Sequence, residues 1–490
     1  MVDFAKVRPQ GGFGAPERFE GEVADCEVLG AIPKDLDGSF FRVGGDFLYP
    51  PLFPDDAPLN SDGYISAFRF KNGRVSYGGR YVRTRRYQND LAAGRQLYGY
   101  YRNPFTDDPS IRDPERPNLR TVSNTAPVVH GGKLFTLKED GLPHHIDPVT
   151  LETRGVWDFN GQWKSQTFTA HPKLDPQTGE MVAFGYEASG LATNDVYIAT
   201  VEPGGRVTHE MRVKTPYLTM LHDVAVTHRR FVIPMCGYTT SMDLLKAGKI
   251  HWWWDNSKPA YIGVLSRTGD GSDIRWFKGP PRCMMHTFNA YDEGDKVVLY
   301  APFWDGNFFP FFPNTDGTPF DPKRARALVR KITIDLKSKG DSYEEEILHS
   351  SPVVDLGKVD PRVLTLQNRY GYTSFADASQ PFDAAHATGL VQGRTNNCYG
   401  RFDFHTGKLD SYFAGPTHSL QECSFVPRPG SHEEGDGYLV GVAQNYAEMR
   451  SELIVADARD LAAGDVARVM LPFRTSAQVH GIWASAQELA

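Results

Sequence analysis

The sequence predicts an all-β protein: a seven-bladed β-propeller whose loops and short helices cap one face. Three observations predict it. Short strands and hairpin turns alternate through nearly the whole chain of 490 residues, with few helical signals between them. One local device recurs: a histidine, a short half-apolar strand, a polar turn and a returning strand. Its intervals are 51 residues from His171 to His222 and 64 from His222 to His286. A four-stranded blade with long loops takes about 50 to 70 residues, so a chain of this length makes roughly seven.

No stretch reads as a linker, because Gly (47) and Pro (34) are spread throughout and no low-complexity or single-charge block interrupts them. A single domain over 1–490 is therefore expected rather than the three that length alone suggests. Residues 1–38 hold turn chemistry (Pro9, Gly11, Gly12, Gly14, Pro16) with little periodicity, and are expected to form an arm wrapping the propeller.

From Gly38 to Gly44 the first core strand begins. Tyr64 to Phe70 and Arg74 to Tyr77 flank Asn72-Gly73, a hairpin-turn pair. Equivalent units are expected at 133–137, 147–153, 261–265 and 398–409. The recurring device itself starts at His171 (turn 175–180, strand 181–186), at His222 (strand 231–234) and at His286 (turn 292–295, strand 296–300). A fourth copy, at His480, is cut short by the chain end. Helical turns are expected only at 322–329 and 458–464.

Composition excludes several function classes. A net charge of -7 and a pI near 6.1 argue against nucleic acid, and equally against an anionic membrane. Five widely spaced cysteines without CxxC pairing read as reduced thiols. The N-terminal residues Met-Val-Asp-Phe-Ala-Lys form no apolar targeting core, and no run of about eighteen apolar residues exists. A soluble, cytoplasmic protein is expected.

Of fifteen histidines, eleven read as hydrogen-bonded structural residues, and His171, His222, His286 and His480 stand apart by their shared context. A propeller brings strand starts together at one end of its channel, where four imidazoles would make a metal site; a hydrogen-bonded structural histidine is the alternative for each. Neutral imidazoles suit Fe(II), Zn, Cu or Ni but leave the metal's charge uncompensated. Carboxylates accepting the other ring N–H would offset it. Glu139, Glu422 and Asp355, each in apolar surroundings, are the candidates, with a turn or surface acid as the alternative for each. Lys138 beside Glu139 is costly to bury without a partner or a task. Strand alternation would point these two neighbours to opposite faces.

Several segments, in this order, resemble the carotenoid cleavage oxygenases, and within them the bacterial lignostilbene dioxygenases. They are Gly38-Ser39-Phe40-Phe41-Arg42, Tyr101-Arg102-Asn103-Pro104, Glu139-Asp140-Gly141-Leu142-Pro143, His171-Pro172-Lys173, His222-Asp223, His286-Thr287-Phe288-Asn289-Ala290, Trp304-Asp305-Gly306-Asn307, Glu422-Cys423-Ser424-Phe425 and His480-Gly481-Ile482-Trp483. The resemblance implies a seven-bladed propeller with Fe(II) held by His171, His222, His286 and His480, and O2 as co-substrate. It implies Glu139 and Glu422 behind the ligands. The family's third glutamate matches Asp355, one methylene shorter, which is expected to reach its histidine through water or not at all.

In the lignostilbene group a lysine and a tyrosine grip the substrate's phenol. Lys138 matches the lysine, and Phe105 takes the tyrosine position with Tyr100 and Tyr101 close by, a departure that puts the para-hydroxystilbene preference in doubt. The loop 304–313, with Phe308 and Phe309, would supply an aromatic wall; a hydrophobic plug or homodimer contact is its alternative. Trp252-Trp253-Trp254 is expected to fill space between blades. The implied activity is oxidative cleavage of a phenolic stilbenoid's central C=C into two aromatic aldehydes, as in lignin catabolism. Cleavage of carotenoids by the same site, a zinc or calcium propeller hydrolase, and a propeller that only binds partners remain open.

Overall fold

The computed structural model describes residues 16–111, 117–349, 353–387, 390, 392–393 and 395–490. Among them, seven antiparallel sheets of four or five strands surround one axis, forming a seven-bladed propeller. In chain order, the innermost strands of the second to seventh blades are Ala126–His130, Lys173–Leu174, Ala225–Val226, Asn289–Glu293, Val353–Lys358 and His418–Pro427.

The first blade is closed from both ends of the chain. Gly38–Gly45, Gly63–Lys71 and Arg74–Tyr81 form its middle, and Gln478–Ser485 pairs with Gly38–Gly45 as its innermost strand. A ring of blades sealed this way has no free edge at the join. Arg42, fully buried, donates to the backbone carbonyl of Glu422 at 2.6 Å and to Gln421 Oε1 at 2.8 Å, tying the first blade to the seventh. A side chain at Gly481 would meet Arg42 Cδ at 2.7 Å, so the close approach requires glycine there.

Gly21–Val23 pairs along Tyr77–Gly79 and Glu27–Gly30 along Ala467–Met470, adding outer strands to the first and seventh blades. The expected arm's first fifteen residues lie outside the described residues. Between blades the apolar faces interlock. Phe40, Phe68, Val440 and Val455 join the last blade to the first, and Val232, Val264, Leu299 and Ile332 join the fourth to the fifth. Each such side chain contributes about 1.5–3 kcal/mol on burial.

Three local expectations are corrected. Residues 322–324 form turns and Ala327–Asp335 is a strand, because Ala327, Leu328 and Val329 pair with Trp304, Phe303 and Pro302. The segment 147–153 is chiefly a turn closed by Leu151 N–H to Asp147 O at 2.8 Å, between His144–Ile146 and Thr153–Val156. An unforeseen α-helix covers Arg85–Ala93, capped by Thr84 Oγ1 on Tyr87 N–H at 3.1 Å and ended by left-handed Gly94. No helix among the described residues is long and apolar enough to cross a membrane.

Candidate metal centre

Four blades each deliver one imidazole to the axis. His171, His222 and His286 stand two or three residues before the innermost strands of the third, fourth and fifth blades. His480 differs, lying inside Gln478–Ser485, which pairs antiparallel with Gly38–Gly45 from the other end of the chain. One nitrogen from each ring lies within 4.8 Å of the others, and the cluster could hold a metal ion. The Nε2 atoms of His171 and His222 are 3.1 Å apart, as are those of His222 and His286.

Carboxylates hold the far sides of three rings. Glu139 Oε1 accepts from His222 Nδ1, Asp355 Oδ1 lies 3.0 Å from His286 Nδ1, and Glu422 Oε1 lies 2.8 Å from His480 Nδ1. With Nδ1 as donor, each Nε2 presents a lone pair to the centre. Lone pairs 3.1 Å apart repel unless a cation lies between them, and two ligands at right angles about 2.1 Å from a metal are about 3 Å apart. His480 Nε2 is buried with no protein partner. The residues therefore fit a metal ion.

Electrostatics agrees. Burial, aided by the neighbouring imidazoles, keeps His171 well below its ordinary range, and burial takes His480 down to about 4. Burial also acts against protonation of His286, but the Asp355 charge opposes it and holds that imidazole above the usual value. Glu139 and Glu422 sit at about 2: burial raises both, and it is overcome chiefly by His222 for Glu139 and by Lys358 and His480 for Glu422.

Asp355 touches its histidine directly, correcting the expectation of a water-bridged or lost contact. The strand Val353–Lys358 shifts register between Asp355 and Lys358, and Leu356 has φ 57. This bulge follows directly on the carboxylate that meets His286. Lys138 and Glu139 share a cavity wall, because their strand ends at Leu137 and alternation no longer governs them.

A cavity of about 1100 Å³ opens on His222, His286 and His480. Lys138 stands on its wall, 3% exposed, donating to the Leu59 carbonyl at 3.1 Å with its Nζ 4.9 Å from the Tyr101 ring centre. Burial lowers its pKa. Trp304, Phe308, Phe309 and Phe311 form an aromatic side. Tyr238 OH fixes that loop, donating to Asn307 Oδ1 at 2.6 Å and accepting from the Phe308 N–H at 2.8 Å.

Tyr100 and Tyr101 line the cavity and Phe105 does not, a correction to its expected place on the substrate. Asn103 caps the turn Pro104–Thr106 through the Phe105 N–H, and its own amide is fixed by the carbonyls of Leu245 and Lys249, so the backbone leaves the wall after Tyr101. The tryptophan run is also corrected. Trp252 and Trp254 are buried, whereas Trp253 faces the cavity.

Motif reading missed the groups behind Glu139. Tyr186 OH donates to Glu139 Oε2 at 2.8 Å, Arg102 donates to the Glu139 carbonyl at 3.1 Å and pairs with Glu187, and His251 Nε2 lies 3.2 Å from Glu187. Arg102 lay in a noticed motif and Tyr186 at the end of the strand 181–186, but nothing local ties these two, Glu187 or His251 to Glu139.

An all-imidazole cluster on a propeller axis, backed by carboxylates and open to a largely apolar cavity, defines a propeller metalloenzyme. Comparison with known proteins sharpens this. The chain belongs to the carotenoid cleavage oxygenase family, whose model, described as retinal pigment epithelial membrane protein, matches residues 14–485. It is 38% identical to lignostilbene-α,β-dioxygenase isozyme III of Sphingomonas paucimobilis, over 100% of this chain and 99% of that one. It is 40% identical to isoeugenol monooxygenase of Pseudomonas putida, over 99% and 100%. The crystal structure of Pseudomonas brassicacearum lignostilbene dioxygenase superposes with TM-score 0.93 at 40% identity, covering 97% of this chain and 98% of that one. The protein is an alkene-cleaving oxygenase with a four-histidine metal site.

Proposed function

We propose that this protein, as one propeller domain, is an Fe(II) dioxygenase that cleaves the central C=C of a phenolic stilbenoid, consuming one O2 and releasing two aromatic aldehydes. The observation carrying this reading is the placement of Lys138, a buried ammonium on the wall of the cavity that opens on the histidines. Bound Fe(II), held by His171, His222, His286 and His480, would supply O2 activation.

The chain's own groups do the rest. Lys138 receives the phenol, and its burial-lowered pKa suits it to share the phenolic proton. A phenolate-like oxygen para to the alkene pushes electron density toward the bond to be broken. Phe308 and Phe309, with Trp304, hold the flat conjugated system against the histidine face and limit water there. Glu139, Asp355 and Glu422 orient three rings and offset the metal's charge. Tyr101, beside Lys138, shapes the phenol end.

The relatives named for lignostilbene and for isoeugenol support this class, since each name denotes a phenol joined to a side-chain alkene. Five buried, free cysteines fit a reducing cytoplasm. The test is iron-loaded protein with O2 and a panel of hydroxystilbenes, their O-methyl ethers, isoeugenol and carotenoids, with products identified. Paired aromatic aldehydes from hydroxystilbenes support the reading; polyene aldehydes as the dominant products overturn it in favour of carotenoid cleavage.

A further inference from the structure

The three carboxylates behind the histidines are not equivalent. Glu139 is shared between His222 and the neutral hydroxyl of Tyr186, and Asp355 meets His286. Glu422 alone of the three is in ion contact with a cation: its Oε1 lies 2.8 Å from His480 Nδ1 and 3.3 Å from Lys358 Nζ. Its Oε2 accepts from the Gly481 N–H at 2.9 Å, and its backbone carbonyl from Arg42. Glu422 is thus held from three sides without Lys358.

Lys358 stands at the far end of the bulge that follows Asp355. Asp355 and Leu356 line the larger cavity, whereas Gly357 and Lys358 line a second one, about 700 Å³, which runs along the innermost strands to His171, His286 and His480. A side chain at Gly357 would meet the Phe288 ring at 2.7 Å, so the strand crosses beside the cluster only with glycine there. One irregular strand therefore acts on two ligands, on His286 through Asp355 and on His480 through Lys358 and Glu422.

We propose that Lys358 is a positioning residue that sets the charge behind His480: by sharing the Glu422 carboxylate it weakens the pull on the His480 N–H and makes that imidazole a poorer donor. The centre then favours the lower of two metal charges and binds a divalent ion less tightly than its carboxylates alone would permit. Glu422 keeps its three other anchors when Lys358 is removed, so the effect is one of charge rather than placement. This inference rests on the reading of the four histidines as a metal site.

The test uses full-length apoprotein titrated with Co(II), comparing wild type, Lys358→Met and Lys358→Arg by chelator competition, and the midpoint potential of the iron-loaded forms. Lys358→Met should bind Co(II) about tenfold more tightly and shift the iron potential downward, while Lys358→Arg stays within about twofold of wild type. Equal or weaker Co(II) binding by folded Lys358→Met overturns the inference and leaves the metal site intact. Wild-type apoprotein that takes up no Co(II) would instead remove the metal site, and this inference with it.

Discussion

Asp355 Oδ1 lies 3.0 Å from His286 Nδ1, a direct contact made by a carboxylate one methylene shorter than Glu139 and Glu422, which serve His222 and His480. The strand carrying it is bulged just beyond, at Leu356-Gly357.

Asp355→Asn keeps the shape and removes the charge. Iron affinity should fall about 10–100-fold, measured by chelator competition, with the melting temperature nearly unchanged. Unchanged affinity would show that His286 does not depend on Asp355.

Removing a ligand is more severe. His286→Ala leaves three imidazoles, two of them with carboxylates behind them, and purified protein should retain almost no iron by elemental analysis while keeping its β-type circular dichroism. Normal iron content would remove His286 from the ligand set.

Lys138→Met preserves length and removes the ammonium. Turnover of para-hydroxystilbenes should drop by about two orders of magnitude, with little further effect on the already poor O-methyl ethers. Equal losses on both would assign Lys138 to the cavity's shape rather than to the phenol.

Phe105 lies outside the cavity lining, so Phe105→Tyr should alter the preference among hydroxystilbenes by less than about twofold in kcat/KM. A marked gain for para-hydroxystilbenes would mean that the side chain reaches the substrate after all.

His144, in His144–Ile146, is buried without a partner on Nδ1, and burial takes its pKa from 6.5 to about 4. From pH 6.5 down to 4 the unfolded chain binds a proton that the folded chain refuses, so stability falls as pH falls, by on the order of 3 kcal/mol from this residue. Denaturant unfolding at pH 7 and pH 4.5 should show a smaller acid loss in His144→Leu than in wild type; equal losses would contradict the assignment.

The amino-acid sequence by itself determined a good deal. Alternation of short strands with pairs such as Asn72-Gly73 fixed the hairpins, because turn chemistry and period-two burial act within a few residues; Asn72 and Gly73 both have the positive φ that such a turn needs. The repeated context of His171, His222 and His286 likewise marked three blades, since each occupies the same place before an innermost strand. Tertiary structure alone decided the rest. The strand of His480 gains its sheet partner only when Gly38–Gly45 meets it from the other end of the chain, and Asp355 meets His286 across 69 residues of sequence, from the next blade. Lys138 and Glu139 face one cavity because their strand stops, Trp253 joins them, and Phe105 is carried off by the turn Asn103 caps. These outcomes depend on ring closure and on where strands end. Both are set by packing between blades distant in sequence, which local periodicity does not record.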